Sequence, residues 1–309
     1  MPQKKIGHLF ALFTIIIWGT TFIASKTLLT EFSPVQIMFM RFIIAYVVML
    51  LINHKVHKLV IKDEILFCLL AVFGSTLYFI CENVALTYTL AANVSIILAI
   101  APMLTAILAH LFTKDEQLHK GIFVGFILAF FGVAMVVFNG TVILKLNPLG
   151  DILSLLAALM WAIYSVLLKN CVHRFDSFYL TRRVLFYSII TTFPLLLAEK
   201  KELPITQLWE PKMLFCILLL GILGSGFCYV TWNYATKWLG IVTTNNYIYL
   251  NPFVTLLAAG LLLKEPVTIM GIAGSVFIVG GIVLADKYGK GKEKEIIETS
   301  SAPVDSVSE

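Results

Sequence analysis

Charge is what this chain has least of. Only 13% of its 309 residues are Asp, Glu, Lys or Arg, where a soluble domain carries about 25%. That shortage, with 59% apolar residues and a mean hydropathy of +0.92, excludes a pair of ordinary soluble domains. Short segments of alternating polarity are missing, which excludes a membrane β-barrel. Signatures of catalysis are missing as well. The sequence has no His-Glu-x-x-His, no serine nucleophile elbow, no phosphate loop and no Cys-x-x-Cys pair. Leu149-Gly150-Asp151 is a poor match to an intramembrane protease motif, because Pro148 precedes it and no partner Tyr-Asp occurs. The five cysteines, Cys68, Cys81, Cys171, Cys216 and Cys228, are odd in number and lack zinc-type spacing, so they read as free thiols. The expectation is a non-enzyme with no cofactor, no metal and no nucleic-acid partner.

What the chain has in abundance is long apolar runs. They lie near 8–28, 34–53, 65–83, 90–112, 121–139, 149–168, 178–198, 213–234, 241–263 and 268–286. A helix of about 20 apolar residues crosses a bilayer, so the reading is an all-α integral membrane protein of ten spans in contact with lipid. The first run follows Lys4 and Lys5 but continues through Trp18 and Phe22 without a cleavage site, so it is expected to be a retained span. The third and fourth runs, parted only by the polar patch Thr87–Thr89, are expected to form a tight hairpin. Residues 287–309, rich in Lys, Ser, Thr and Glu, are expected to form a disordered tail. With the N-terminus inside, fourteen Lys and Arg fall in inner segments and six in outer ones, while Arg41, Arg182 and Arg183 fall inside spans. The positive-inside rule then puts both termini in the cytoplasm of a multi-pass plasma-membrane protein.

The chain also repeats itself. A shift of 143 places Gly7 on Gly150, Trp18 on Trp161 and Lys26 on Lys169. A shift of 150 places Gly74-Ser75 on Gly224-Ser225, Asn83 on Asn233, Pro102 on Pro252, Lys114-Asp115 on Lys264-Glu265 and Gly121 on Gly271. Two five-helix units, 7–139 and 149–286, follow from this. Five is odd, so the copies enter the membrane in opposite orientations, as in the inverted repeats of secondary transporters. The stretches Trp18-Gly19-Thr20-Thr21-Phe22, Glu82-Asn83-Val84-Ala85-Leu86, Ala101-Pro102 and the Gly-rich run from Gly271 through Gly281-Ile282 resemble the EamA-type domain. The resemblance covers nearly the whole chain. It implies the drug/metabolite transporter superfamily, with ten helices, a central cavity and export of amino acids or other small metabolites across a bacterial plasma membrane. Trp161-Ala162 departs from the Trp-Gly of the first copy.

Midplane depth, about ten residues into each span, gathers breakers and polar groups in both copies. Trp18 and Thr21 stand there in the first span, and Trp161 and Tyr164 in the sixth. Ser75 and Tyr78 stand there in the third, with Asn83 further on and Asn93 in the fourth. Ser225, Tyr229, Trp232 and Asn233 share the eighth span, and Thr244, Tyr247 and Asn251 the ninth. These fifteen residues are the candidate substrate-binding set. Proline in a span frees a carbonyl that needs a partner, so the pattern reads either as a cavity or as kinks that serve packing. Indole and phenol walls with a few amides suit amphipathic solutes and not bare ions. Arg41 and Glu82 are the candidate coupling or gating pair. Arg41 either snorkels to an interface or serves as a gate or carboxylate-binding group. Glu82 is either a hydrated interfacial carboxylate or a desolvated one that exchanges a proton, with Asn83 holding its hydrogen bonds. Gly121-x-x-x-Gly125 and Gly271-x-x-x-Ser275 are expected to bring the fifth and tenth helices together, or to support a homodimer. A passive channel for small solutes is the alternative to a carrier, though the sequence has no ring of like charge.

The charge count makes one firm prediction. Protease added outside intact cells should leave a reporter-tagged 287–309 tail uncut, and cleavage from outside would reverse the topology.

Overall fold

The computed structural model describes residues 2–54, 60–89, 94, 97–113, 120–138, 147–263, 269–270, 272–274 and 276–284, and among these the chain forms helices and the turns between them, with no strand. The helices are α1 (Pro2–Leu28), α2 (Pro34–Ile52), α3 (Ile61–Tyr88), α4 (Ala101–Phe112), α5 (Lys120–Phe138), α6 (Pro148–Val172), α7 (Ser177–Glu199), the single turn α8 (Ile205–Leu208), α9 (Pro211–Leu239), α10 (Ile241–Asn246), α11 (Asn251–Leu263) and α12 (Ile272–Leu284). Six of them, α1, α2, α3, α6, α7 and α9, are long and apolar enough to cross a bilayer.

Helix limits follow local chemistry. Ser33 and Gln36 form a reciprocal capping box at the start of α2, with Pro34 in the first turn. Asp176 accepts from the Phe178 and Tyr179 amides at the start of α7, and Asn147 caps α6 in the same way. Gly240, at φ 86°, lets the chain leave α9 and enter α10 at once. The patch Thr87–Thr89 closes α3, and the turn expected after it lies outside the described residues. Thr87 donates its hydroxyl to the Val84 carbonyl at 2.7 Å and the Thr89 amide bonds Ala85 at 2.9 Å, so the polar residues finish α3. Threonine hydroxyls can satisfy helical carbonyls, which lets helix continue through a patch whose composition signals a turn. The run 241–263 is likewise broken, into α10, one 3₁₀ turn at Tyr247–Leu250 and α11.

Both long broken-pattern helices carry a wider, π-type stretch, Val72–Leu77 in α3 and Leu219–Phe227 in α9. Each is built around the Gly-Ser pair that the 150-residue shift superposes. The glycines permit close approach. A Cβ on Gly74 would lie 2.2 Å from the Tyr164 ring, and one on Gly221 would lie 2.7 Å from Ile44.

Packing runs mainly between the N-terminal and C-terminal halves. α1 lies on α9 and α11, α2 on α7 and on the wide stretch of α9, and the end of α3 and α4 on α6. The largest apolar cluster draws on both halves, from Ile15, Phe67 and Leu70 to Tyr164, Leu168, Leu180 and Trp232. α5 crosses α12 along glycines: a Cβ on Gly132 would lie 2.4 Å from the Gly274 carbonyl oxygen, and one on Gly281 would lie 2.6 Å from that of Gly125. Gly271 and Ser275, the other expected small residues, lie outside the described residues, as do the tail and the Lys114-Asp115 and Lys264-Glu265 pairs.

Gly132→Ala should therefore destabilise the purified protein by about 1–3 kcal/mol, because its obstacle is backbone. Gly280→Ala, whose Cβ would meet only Leu128 at 3.6 Å, should not. Thermal melting in detergent checks the pair, and equal midpoints would remove the close crossing.

Candidate functional site

A cavity open to solvent lies between the halves, with about 530 Å³ of empty space when that open solvent is included, walled by Trp18 and Phe22 of α1, Arg41 of α2, Tyr78 and Phe79 of α3, Leu98 and Ala101, Trp161 of α6, Tyr229 of α9, and Ile248 and Asn251. Six of the expected residues, Trp18, Arg41, Tyr78, Trp161, Tyr229 and Asn251, are on this wall. Phe22, Phe79, Leu98, Ala101 and Ile248 join them. The aromatic part is a continuous lattice. Trp18 meets Trp161 edge-on at 5.2 Å, Tyr229 at 5.7 Å and Trp232 at 5.0 Å, and Tyr78 lies 5.3 Å from Trp161.

Trp18, Tyr229 and Trp161 spend their polar atoms on holding the wall. Trp18 Nε1 donates to the Gly224 carbonyl at 3.0 Å, and the Tyr229 hydroxyl donates to the Gly74 carbonyl at 3.0 Å. The two acceptors are repeat partners within the two π stretches. Trp161 Nε1 donates to Asn245 Oδ1 at 2.9 Å, where Ser165 also donates at 3.3 Å, while Asn245 Nδ2 donates to the Ile241 carbonyl at 2.8 Å. Asn245 is the positioning residue that sequence reasoning missed. Its signal was the polar run Thr243–Asn246 within an apolar span.

Arg41 is 2% exposed and does not snorkel to an interface. Its Nε donates to Ser225 Oγ at 2.7 Å, and its guanidinium lies 4.2 Å from the centre of the Phe79 ring. Glu82 is 7% exposed, so it is not the hydrated interfacial carboxylate. Arg41, Tyr78 and Tyr229 are the ionisable groups that act on it. Among the described residues no ion pair joins it to Arg41, and its Oε2 has no hydrogen-bond partner. The expected support from Asn83 is not made. Both polar atoms of the Asn83 side chain are buried and themselves unpartnered. Adjacent residues on a helix point about 100° apart, so a residue next to Glu82 in sequence is poorly aimed at it.

The remaining candidates lie off the wall. Thr21 returns its hydroxyl to the Trp18 carbonyl at 2.7 Å, and Thr244 returns its own to Gly240 at 2.8 Å. Tyr164, 1% exposed, stands behind Trp161 and covers Gly74. Ser75 is buried in the π stretch, and Ser225 acts through Arg41. Trp232 backs Trp18 with its Nε1 unpartnered. Asn233 donates to Thr181 at 3.0 Å, and Tyr247 shares a 2.7 Å hydrogen bond with His8. Asn93 lies outside the described residues.

One end of the bundle is laced together between the halves. Arg174 pairs with Asp63 at 2.5 Å, Arg183 pairs with Glu64, the Tyr187 hydroxyl donates to Glu64 at 2.7 Å, and Arg182 donates to the Asn53 carbonyl. Phe67, Phe175 and Tyr179 pack into an aromatic plug at the same end, with Phe67 4.9 Å from Phe175 and 6.0 Å from Tyr179. At the opposite end Ser33 donates to Glu199 at 2.6 Å and Gln36 to the Glu202 carbonyl at 3.0 Å.

A sequence model of the EamA-like transporter family matches residues 5–138 and again 148–285. An uncharacterized transporter of Archaeoglobus fulgidus is 28% identical over 282 residues, covering 90% of this chain and 96% of that protein. The uncharacterized transporter YyaM of Bacillus subtilis is 26% identical over 291 residues, covering 89% and 90%. A protein of known crystal structure, 18% identical, has the same fold with a TM-score of 0.73, covering 90% of this chain and 97% of that one.

The wall and what lies behind it separate by labelling. In a cysteine-free background, Cys at 18 or 161 should react with a small polar thiol reagent, whereas Cys at 164 should react far more slowly. Equal rates at all three positions would refute the placement of Tyr164 behind Trp161.

Proposed function

The chain belongs to the EamA-like transporter family, and we propose that it is a secondary carrier that moves a small amphipathic metabolite, such as an amino acid, across the plasma membrane by alternating access. The observation that carries this reading is the cavity between the halves, lined by aromatic rings and holding one buried cation. Such a site suits a solute with one apolar and one charged end. Export is the direction this reading assigns. We also propose the architecture of ten spans in two inverted five-helix units. The paired π stretches and the paired glycine acceptors support it.

Alternating access needs one mouth shut while the other opens. The Asp63–Arg174 and Glu64–Arg183 pairs, with the Phe67–Tyr179 plug, are suited to be the shut mouth, on the cytoplasmic side in the orientation read from the charges. The exposed Arg174 pair is worth little by itself. The Glu64 pair is less solvated and is shared with Tyr187, so it is the stronger part of the latch.

Glu82 is proposed as the coupling group. It is a carboxylate in a span, buried and short of one partner, so a proton there relieves a charge that the bilayer interior disfavours.

Counterflow in proteoliposomes tests the carrier. Purified protein should accelerate exchange of a labelled amino acid saturably, and Trp18→Ala should cut the rate about tenfold or more through lost contact with the solute. Glu82→Gln should abolish the response of net flux to an imposed pH gradient while exchange continues. Flux that never saturates would indicate a channel, and wild-type flux indifferent to the pH gradient would remove the coupling role.

A further inference from the structure

We infer that Arg41 seats the carboxylate of the solute, so that the cavity selects amphipathic carboxylates over their uncharged analogues. The inference rests on the carrier reading only in taking the cavity's ligand to be the transported solute. A guanidinium removed from water costs several kcal/mol unless it is paired and hydrogen-bonded. Arg41 is 2% exposed and lines the cavity, yet among the described residues its direct partners are only a neutral hydroxyl and an aromatic face. Its one hydrogen bond among the described residues, from Nε to Ser225, fixes the side chain and leaves the Nη1–Nη2 end of the fork without an acceptor from them. That end is the part of a guanidinium that receives a carboxylate through two parallel hydrogen bonds.

Among the described residues nothing takes that position. Gly224 has no side chain to project toward it, and a Cβ there would already lie 3.4 Å from Nη2. Glu82 acts on Arg41 through its charge but forms no ion pair with it. The buried cation is thus held ready without a direct ion pair, which is the state a binding group occupies before its ligand arrives. Trp18, Trp161 and Tyr229 would take the apolar body of the solute. Asn251 Oδ1, an unpartnered acceptor on the same wall, suits an N–H donor of the solute.

The test uses two probes of nearly equal shape, 3-phenylpropanoate and 3-phenylpropanamide, titrated against the full chain in detergent and read by quenching of intrinsic tryptophan fluorescence. The wild type should bind the acid about tenfold more tightly than the amide, the value of one charge-assisted hydrogen-bonded contact. Arg41→Gln should bring the two affinities to within about twofold, mostly by weakening the acid. Ser225→Ala leaves the charge but frees the fork to swing, and should cut the preference about threefold. It decides the matter if Arg41→Gln does not purify as a monodisperse species. A wild type without preference, or a preference unchanged in the decisive variant, would overturn the assignment. The titration needs no flux. A protein that keeps the preference but moves no solute across vesicles would sink the carrier reading and leave the carboxylate seat standing.

Discussion

Backbone carbonyls inside a bilayer need donors, and much of this structure is arranged around two carbonyls that side chains of other helices reach. Gly74 and Gly224 sit where α3 and α9 widen, and each receives a hydrogen bond from an aromatic side chain of another helix. Tyr229 answers Gly74, and Trp18 answers Gly224. Because the donors are also cavity walls, the same bonds that satisfy the backbone set the angle of the rings. Widened turns often occur at functional positions, and here the reason is visible: the turn supplies the acceptor that orients the side chain.

The second constraint is the low tolerance of the interior for charge. Most charges near the spans lie at the ends, and some are tied across the halves, as Glu64 and Arg183 are. Arg41 and Glu82 are the exceptions, buried without an ion pair between them. Two groups so placed are costly in the empty protein, and their cost is the reason to look for a ligand or a proton that relieves it.

Much of the frame was legible in the sequence because its signals are local. Long apolar runs mark the helices, and Gly74-Ser75 and Gly224-Ser225 mark the wide stretches through their shared offset. Trp18 and Trp161 could be placed because mid-span indoles have few other places to stand. Two features limited the rest. Side-chain hydroxyls of Thr21, Thr87 and Thr244 bond their own helices, so a polar residue at the right depth need not face a cavity. Residues that work by touching a side chain far along the chain leave little local trace, as Asn245 does in holding Trp161, and Tyr164 in filling the space over Gly74. The apolar part of the wall, Phe79 and Ile248 among it, was invisible because apolar residues are everywhere in such a chain.

Trp18 bonds a carbonyl 206 residues further along the chain. At ribosomal rates of about 5–20 residues per second, that acceptor is made about 10–40 s after the indole enters the membrane. Thr14, whose hydroxyl sits 2.7 Å from that of Thr231, waits as long for this partner. During that interval α1 is a span whose polar face has only lipid, nascent helices or the insertion machinery to meet. The interleaving that builds the cavity therefore makes the first helix the last to be satisfied, and makes the newborn N-terminal half a client of whatever shelters polar spans in the bilayer.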